Sequence, residues 1–238
     1  MATWSISSTV SVTGTISRIV ADPLDAYRAF TSASSGASGY VYSIFDSAIE
    51  DTHTFAGSAD DIQAGSGVVF VLDNTNNSIH CLGHADNISG FVNFVTISLS
   101  QSAHGLYYTA GDLYILQDNA EVNRYRQTGN VSLEPGHRYG MSIYGGSSWT
   151  PIYSTGTRQI MAMTPDNSGN VFAVTDDNTL YYMSGTGTAM SSGYPQNIPD
   201  PSGQISGVKI GINALHWDGT TLYASSSLYG SLIKITPA

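Results

Sequence analysis

Residues 169–184, "GNVFAVTDDNTLYYMS", set Asp176, Asp177 and Asn178 between two apolar, alternating runs. Such a cluster is either a metal or catalytic site or the turn of a hairpin. Recurrence decides between them. Residues 68–83 read "VVFVLDNTNNSIHCLG" and residues 112–127 read "DLYILQDNAEVNRYRQ", so the same run–turn–run order returns with a different polar centre. Asp and Asn tolerate the left-handed backbone of a tight hairpin and hydrogen-bond their own main chain. "DNTNNS" does have the alternate polar positions of a calcium loop. It lacks the glycine at the sixth position and the distal glutamate that an EF-hand requires. The three clusters therefore read as turns, with a cation site as the alternative.

Working outward, an apolar residue precedes an aromatic by eight positions at Ile19/Tyr27, Ile62/Phe70, Leu106/Tyr114 and Leu215/Tyr223. Ile160 and Phe172 repeat the order with four more residues, held in "PDNSGN". A third run follows each aromatic: "YVYSIF", "SIHCL", "VNRYR", "LYYMS" and "LIKIT". The anchors Tyr27, Phe70, Tyr114, Phe172 and Tyr223 lie 43, 44, 58 and 51 residues apart, and closing the circle through the termini takes 42. Five units of about forty to fifty residues, each with three or four short strands, predict an all-β fold, a five-bladed β-propeller. The last unit shows three strands, and "ATWSISS" at the start is a spare alternating segment. Pairing of Thr3–Ser7 outside Ile233–Thr236 would close the ring and remove a sheet edge, making residues 1–238 one domain. The rival reading is an N-terminal β-sandwich of about 55 residues followed by a smaller β domain.

Composition agrees with many short strands. Charged residues are 11% of the chain, against about 25% in an ordinary soluble domain, while Gly (25) and Tyr (15) are abundant. A net charge of −10 with 8 Lys plus Arg argues against a nucleic-acid groove and an anionic membrane surface. There is no apolar run of membrane-spanning length, so no membrane insertion is expected. "MATWSISSTVSV" has neither a basic start nor a continuous apolar core, so no signal peptide is expected. The single cysteine, Cys81, rules out an internal disulfide and cysteine-based zinc ligation; within its apolar run it reads as a small buried hydrophobe.

With its five aromatic-anchored units, the chain resembles the five-bladed propeller class, which includes the tachylectin-type lectins. "PDNSGNVFAV" is similar to the D-x-x-G-N-hydrophobic-aromatic-hydrophobic habit of NHL-like propellers. The resemblance implies architecture and carries over no site residues. Scarce lysine, one cysteine and a Ser/Thr/Gly/Asn/Tyr-rich body also resemble virion proteins of tailed phages. This implies a virion or extracellular location, other virion proteins or a host-surface glycan or protein as partners, and a place in an oligomeric assembly.

Catalytic and metal chemistry find little support. The predicted inner strands carry no paired carboxylates of the kind a glycosidase needs, only the flanking Asp22, Asp60, Asp61 and Asp218. The histidines, His53, His80, His84, His104, His137 and His216, are scattered. No catalytic residue, metal ligand or cofactor is expected. The two long intervals are the better candidates. "HRYGMSIYGGSSWTPIYSTG" supplies Tyr139, Tyr144, Trp149 and Tyr153, and "GTAMSSGYPQNIPDPSG" supplies Tyr194. Rigid aromatics among Gly and Ser suit ligand or partner binding, because contact area is gained at small entropic cost. Their alternative role is to cover blade edges. The expectation is a non-catalytic binding or assembly module, with a carbohydrate-binding lectin and a propeller glycosidase or lyase as the other readings.

Overall fold

The computed structural model describes residues 9–23, 25–65, 68–84, 91–109, 112–117, 121–126, 129–131, 141–143, 150–154, 160–166, 168, 170–184, 193–198, 211–226, 228 and 230–236. These residues hold strands and turns and no helix. The first sheet is a meander of β1 (Thr15–Ala21), β2 (Arg28–Ser35), β3 (Ser38–Phe45) and β4 (Ala48–Ala56). The second repeats it with β5 (Asp61–Gly65), β6 (Val68–Asp73), β7 (Ser78–His84) and β8 (Phe91–Ser98). In the third, β9 (Ala103–Thr109), β10 (Asp112–Gln117) and β11 (Glu121–Arg126) precede a separate two-stranded hairpin, β12 (Gly129–Val131) with β13 (Met141–Ile143). Its fourth strand, β14 (Thr150–Ser154), then pairs with β11. The fourth sheet is β15 (Ile160–Pro165), β16 (Asn170–Thr175), β17 (Thr179–Ser184) and β18 (Gln196–Asn197). The fifth has three described strands, β19 (Ile212–Trp217), β20 (Leu222–Ser226) and β21 (Ser231–Ile235). Thr3–Ser7, expected as a further strand here, lie outside the described residues.

The chain divides into two compact units. One holds residues 1–102 and 127–145, the other residues 103–126 and 146–238. β1–β4, where the rival reading placed a sandwich, form one four-stranded sheet. In the first unit that sheet packs against the second, with Phe30 and Val41 meeting Ile62, Val69, Val71 and Leu82. The second strand of each sheet is the most buried. "VVFVLD" is buried at every position, as a strand covered on both faces must be, and this explains its continuous apolar run. By contrast β4 alternates between exposed and half-buried positions.

Two anchors are corrected: Tyr223 is second in β20 and half-buried, with Ala224 in the buried third place, and Tyr27 lies outside its strand. Phe70, Tyr114 and Phe172 each stand third in the second strand of their sheet and are at most 3% exposed. Tyr27 precedes β2 in a turn and is 75% exposed, and Phe30, third in β2, takes the buried place. The unit begins with the longer connection "DPLDAY", which shifts the strand by three residues relative to the spacing rule.

The turns answer the opening question. The Asn178 amide donates to the Thr175 carbonyl at 2.9 Å, and Thr175 Oγ1 donates to Asp177 Oδ1 at 2.6 Å. Asn178 and Asn77 adopt φ of 67° and 47°, the left-handed values for which Asn is suited. Asp118 and Asn119 lie outside the described residues.

Asp73, at the end of β6, is fully buried and gathers the surrounding turns. Its carboxylate accepts from the Ser58 amide (3.0 Å), the Asn76 amide (3.2 Å) and Asn76 Nδ2 (2.8 Å), with His80 Nε2 at 3.3 Å. Burial alone would raise its pKa, but these donors outweigh burial and hold it below the usual value. Across the same layer, His53 on β4 lies 6.0 Å from the Phe55 ring and 6.3 Å from Phe91. Burial first, and the neighbouring His80 second, lower its pKa. A histidine depressed in the folded state takes up its proton more readily when unfolded. Stability is therefore expected to be complete above about pH 6.5 and to decline as pH falls toward the folded value. Urea unfolding from neutral to mildly acid pH tests this. His53→Asn should flatten the slope, and an unchanged slope would assign the acid sensitivity elsewhere.

Candidate functional site

Of the five aromatics expected to bind, Tyr139, Tyr144 and Trp149 lie outside the described residues. Tyr153 is in β14, where its backbone pairs with Val122. Tyr194 is placed, half-buried, just before β18 and joined to Pro195 by a cis peptide. It closes a chain of rings in the second unit. Tyr194 lies 5.6 Å from Tyr182, Tyr182 stacks on Phe172 at 4.4 Å, and Phe172 meets Trp217 at 5.0 Å.

The strands explain this convergence. Phe172 on β16 is the register partner of Tyr182 on β17, so their rings share one face of the fourth sheet. That face packs on the fifth sheet through Leu180 and Ile198 on one side and Ile212, Leu215, Leu222 and Ala224 on the other. Residues 193–195, just before β18, place Tyr194 against this face. Farther along, Leu180, Gln196, Ile198, Ile233, Lys234 and Ile235 help to line a cavity of about 260 Å³. It offers an aliphatic surface, the Gln196 amide and the exposed Lys234.

Asp166, in the turn between β15 and β16, fixes the aromatic end. It accepts from the Ser168 and Asn170 amides, each at 2.7 Å, from Asn170 Nδ2 at 2.9 Å and from the Tyr182 hydroxyl at 2.6 Å. Burial pulls its pKa up, yet the donors, Tyr182 foremost, hold it below the usual value. The Tyr182 phenol is pushed up by burial and then by its bond to Asp166, and the Tyr194 phenol is pushed up by burial. A carboxylate so fully engaged positions a ring and is poorly placed to take a proton from a substrate. Asp218 repeats the device at the β19–β20 turn, accepting from the Thr220 and Thr221 amides at 2.8 and 2.7 Å.

Two further chemistry-bearing residues are likewise tied into the fold. His104 bonds the Ile160 carbonyl. Cys81 is buried, and burial pushes its thiol up to about 12, which leaves it a small hydrophobe. Among the described residues no three His, Cys, Asp or Glu side chains gather as a metal site. Trp217, Tyr182 and Asp166 were not singled out by the sequence reading. Their available signal was "PDNSGN", an extended turn between a first and a second strand.

No family model matches the chain, and no curated protein is similar to it in sequence. Solved structures do match in three dimensions. The Cps50 (Swd1) β-propeller domain of Myceliophteria thermophila aligns with 96% of this chain and 72% of its own, at TM-score 0.63 and 9% identity. A chain of the COPII outer coat vertex on membranes aligns with 84% of this one at TM-score 0.58 and 11% identity. The computationally designed Ika8 protein aligns with 93% at TM-score 0.57 and 7% identity. The chain spans 54% of that COPII chain and 58% of Ika8. At these identities the likeness shows the fold alone: all-β, of the β-propeller class.

Proposed function

We propose that the chain is a single five-bladed β-propeller acting as a non-catalytic binding and assembly module, a structural or host-attachment protein in the virion of a tailed phage. The observation that carries the binding reading is the insertion between β17 and β18. It leaves the repeat pattern to lay Tyr194 against the Tyr182–Phe172–Trp217 rings beside a cavity. Five successive strand meanders support the blade count. The matching chain of a COPII outer coat vertex offers a precedent, for a similar fold, of a role in an assembly. The partners proposed are other virion proteins or a host-surface glycan or protein.

Capsid, portal or tail genes beside the coding sequence, and co-sedimentation with their products, test the virion reading; neither being found would sink it. A lectin is the second reading, favoured by the ring pair next to the amide-bearing Gln196 and Asn197. A glycan array separates the two. A lectin gives hits that Tyr194→Ala reduces about tenfold or more, as loss of a stacking platform should. A virion protein docked only on other proteins gives none, and a glycan-binding attachment protein is told from a free lectin by its neighbouring genes. A glycosidase or lyase, the third reading, needs two carboxylates free to act at one pocket, and Asp166 and Asp218 are each committed to their own turns.

A further inference from the structure

We propose that the end of the first sheet where Tyr27 and Phe45 emerge is a docking surface for a basic, arginine-bearing segment of a protein partner. This rests on the reading of the chain as a protein-binding module and names a surface in the first unit, apart from the aromatic cleft of the second. Tyr27 is 75% exposed and Phe45 39%, in the β1–β2 connection and at the end of β3, while Ile49, paired with Ile44, stands on the other face of the hairpin.

The surface is held rigid. Asp25 Oδ1 accepts from the Tyr27 amide at 3.0 Å, and the Tyr27 carbonyl accepts from the Asp46 amide at 3.1 Å, which ties the two loops together. Asp46 and Ser47 both have positive φ, 45° and 69°, the geometry of a two-residue hairpin turn that matches the strand twist. A fixed, exposed tyrosine loses little entropy on binding, which is how aromatic anchors act at interfaces.

Charge selects the occupant. Asp46, Glu50 and Asp51 stand in the β3–β4 hairpin at this end, beside the buried Asp22 and Asp25, and Arg28, itself buried, is the one cation there among the described residues. Arg28 is already held by Asp22, Asp25 and Glu50, and its guanidinium lies 5.2 Å from the centre of the Phe45 ring. An excess of carboxylates around exposed aromatic faces favours a guanidinium, which can stack on a ring and pair with a carboxylate at once. A second copy of this chain, at net charge −10, would be repelled.

The test titrates the full chain with three short synthetic peptides of one apolar framework, bearing arginine, lysine or glutamate, and reads fluorescence anisotropy at low and raised ionic strength. The arginine peptide is expected to bind best and the glutamate peptide not at all. Tyr27→Ala should weaken arginine-peptide binding about tenfold or more. Asp46→Asn, which keeps the left-handed turn, should reduce both affinity and salt dependence. Leu232→Ala, exposed in the other unit, should change nothing. Equal binding to wild type and Tyr27→Ala, equal binding of the glutamate peptide, or no binding of any peptide overturns the proposal. Should the peptides fail while the chain still co-assembles with products of neighbouring genes, this surface is wrong and the module reading stands. Failure of both removes both.

Discussion

Arg28→Met is expected to destabilise the protein by about 3–5 kcal/mol, the cost of leaving buried carboxylates without their cation. The Arg28 side chain is 2% exposed, and those of Asp22 and Asp25 are 3% and 7% exposed. Glu50 grips the guanidinium with both oxygens, Nε to Oε2 and Nη2 to Oε1 at 3.0 Å each, and also accepts from Ser43 Oγ at 3.0 Å. Methionine fills most of the volume, so the loss reports charge rather than cavity. Asp22 and Asp25 would then face each other across a site with no positive group. Adding Asp25→Asn to Arg28→Met should recover part of the loss, a coupling that urea unfolding of the double-mutant cycle measures. A loss below about 1 kcal/mol would show that this cluster behaves like an ordinary surface network.

The second large effect is expected at Asp73. Asp73→Ala takes the acceptor from the half-buried Ser58 amide, the Asn76 amide and the His80 ring, while Asn76 Nδ2 keeps the Ala56 carbonyl at 2.9 Å. Each lost bond to this carboxylate costs about 1 kcal/mol or more. A total loss of at least about 3 kcal/mol follows, seen as a lowered denaturation midpoint. Gly57→Ala should approach the same result from the opposite side. A Cβ there would stand 2.2 Å from Asp73 Oδ2, and φ is +142°, a conformation side chains rarely adopt. Because Asp73 is held below the usual carboxylate pKa, its contribution is complete above that range and is lost as pH falls through the folded value. Wild type should therefore weaken in acid more steeply than Asp73→Asn. Equal acid slopes would remove Asp73 from its assigned role.

The repeat was legible because a middle strand covered on both faces needs an unbroken apolar run, and "VVFVL" and "VFAV" are such runs. The turn at Asp177–Asn178 was legible because only a few residues tolerate its backbone. Tyr27 was misread because the spacing rule counted along the chain. Position relative to the strand start placed Phe30 inside. The Arg28 cluster was hidden for a different reason. Asp22 and Asp25 lie close by in sequence, but Glu50 arrives from β4 at a register irregularity between Ser43 and Ile44 that no alternation announces. At the candidate site, Tyr194 could be singled out as an aromatic in an insertion. Its neighbours could not, since Tyr182 and Trp217 look like ordinary strand residues until β17 and β19 are set on one cleft.

β16 carries one more consequence. Val171 and Ala173 belong to the cluster shared with Tyr114 and Leu116, while Phe172 and Val174 belong to the cluster shared with Leu215 and Leu222. Adjacent residues thus answer to different partners, one set some fifty residues upstream and the other about as far downstream. Over evolutionary time Phe172 should change in step with Leu215 and Trp217, and Ala173 in step with Tyr114. The two chain neighbours should drift independently, each bound to a history written in a different blade.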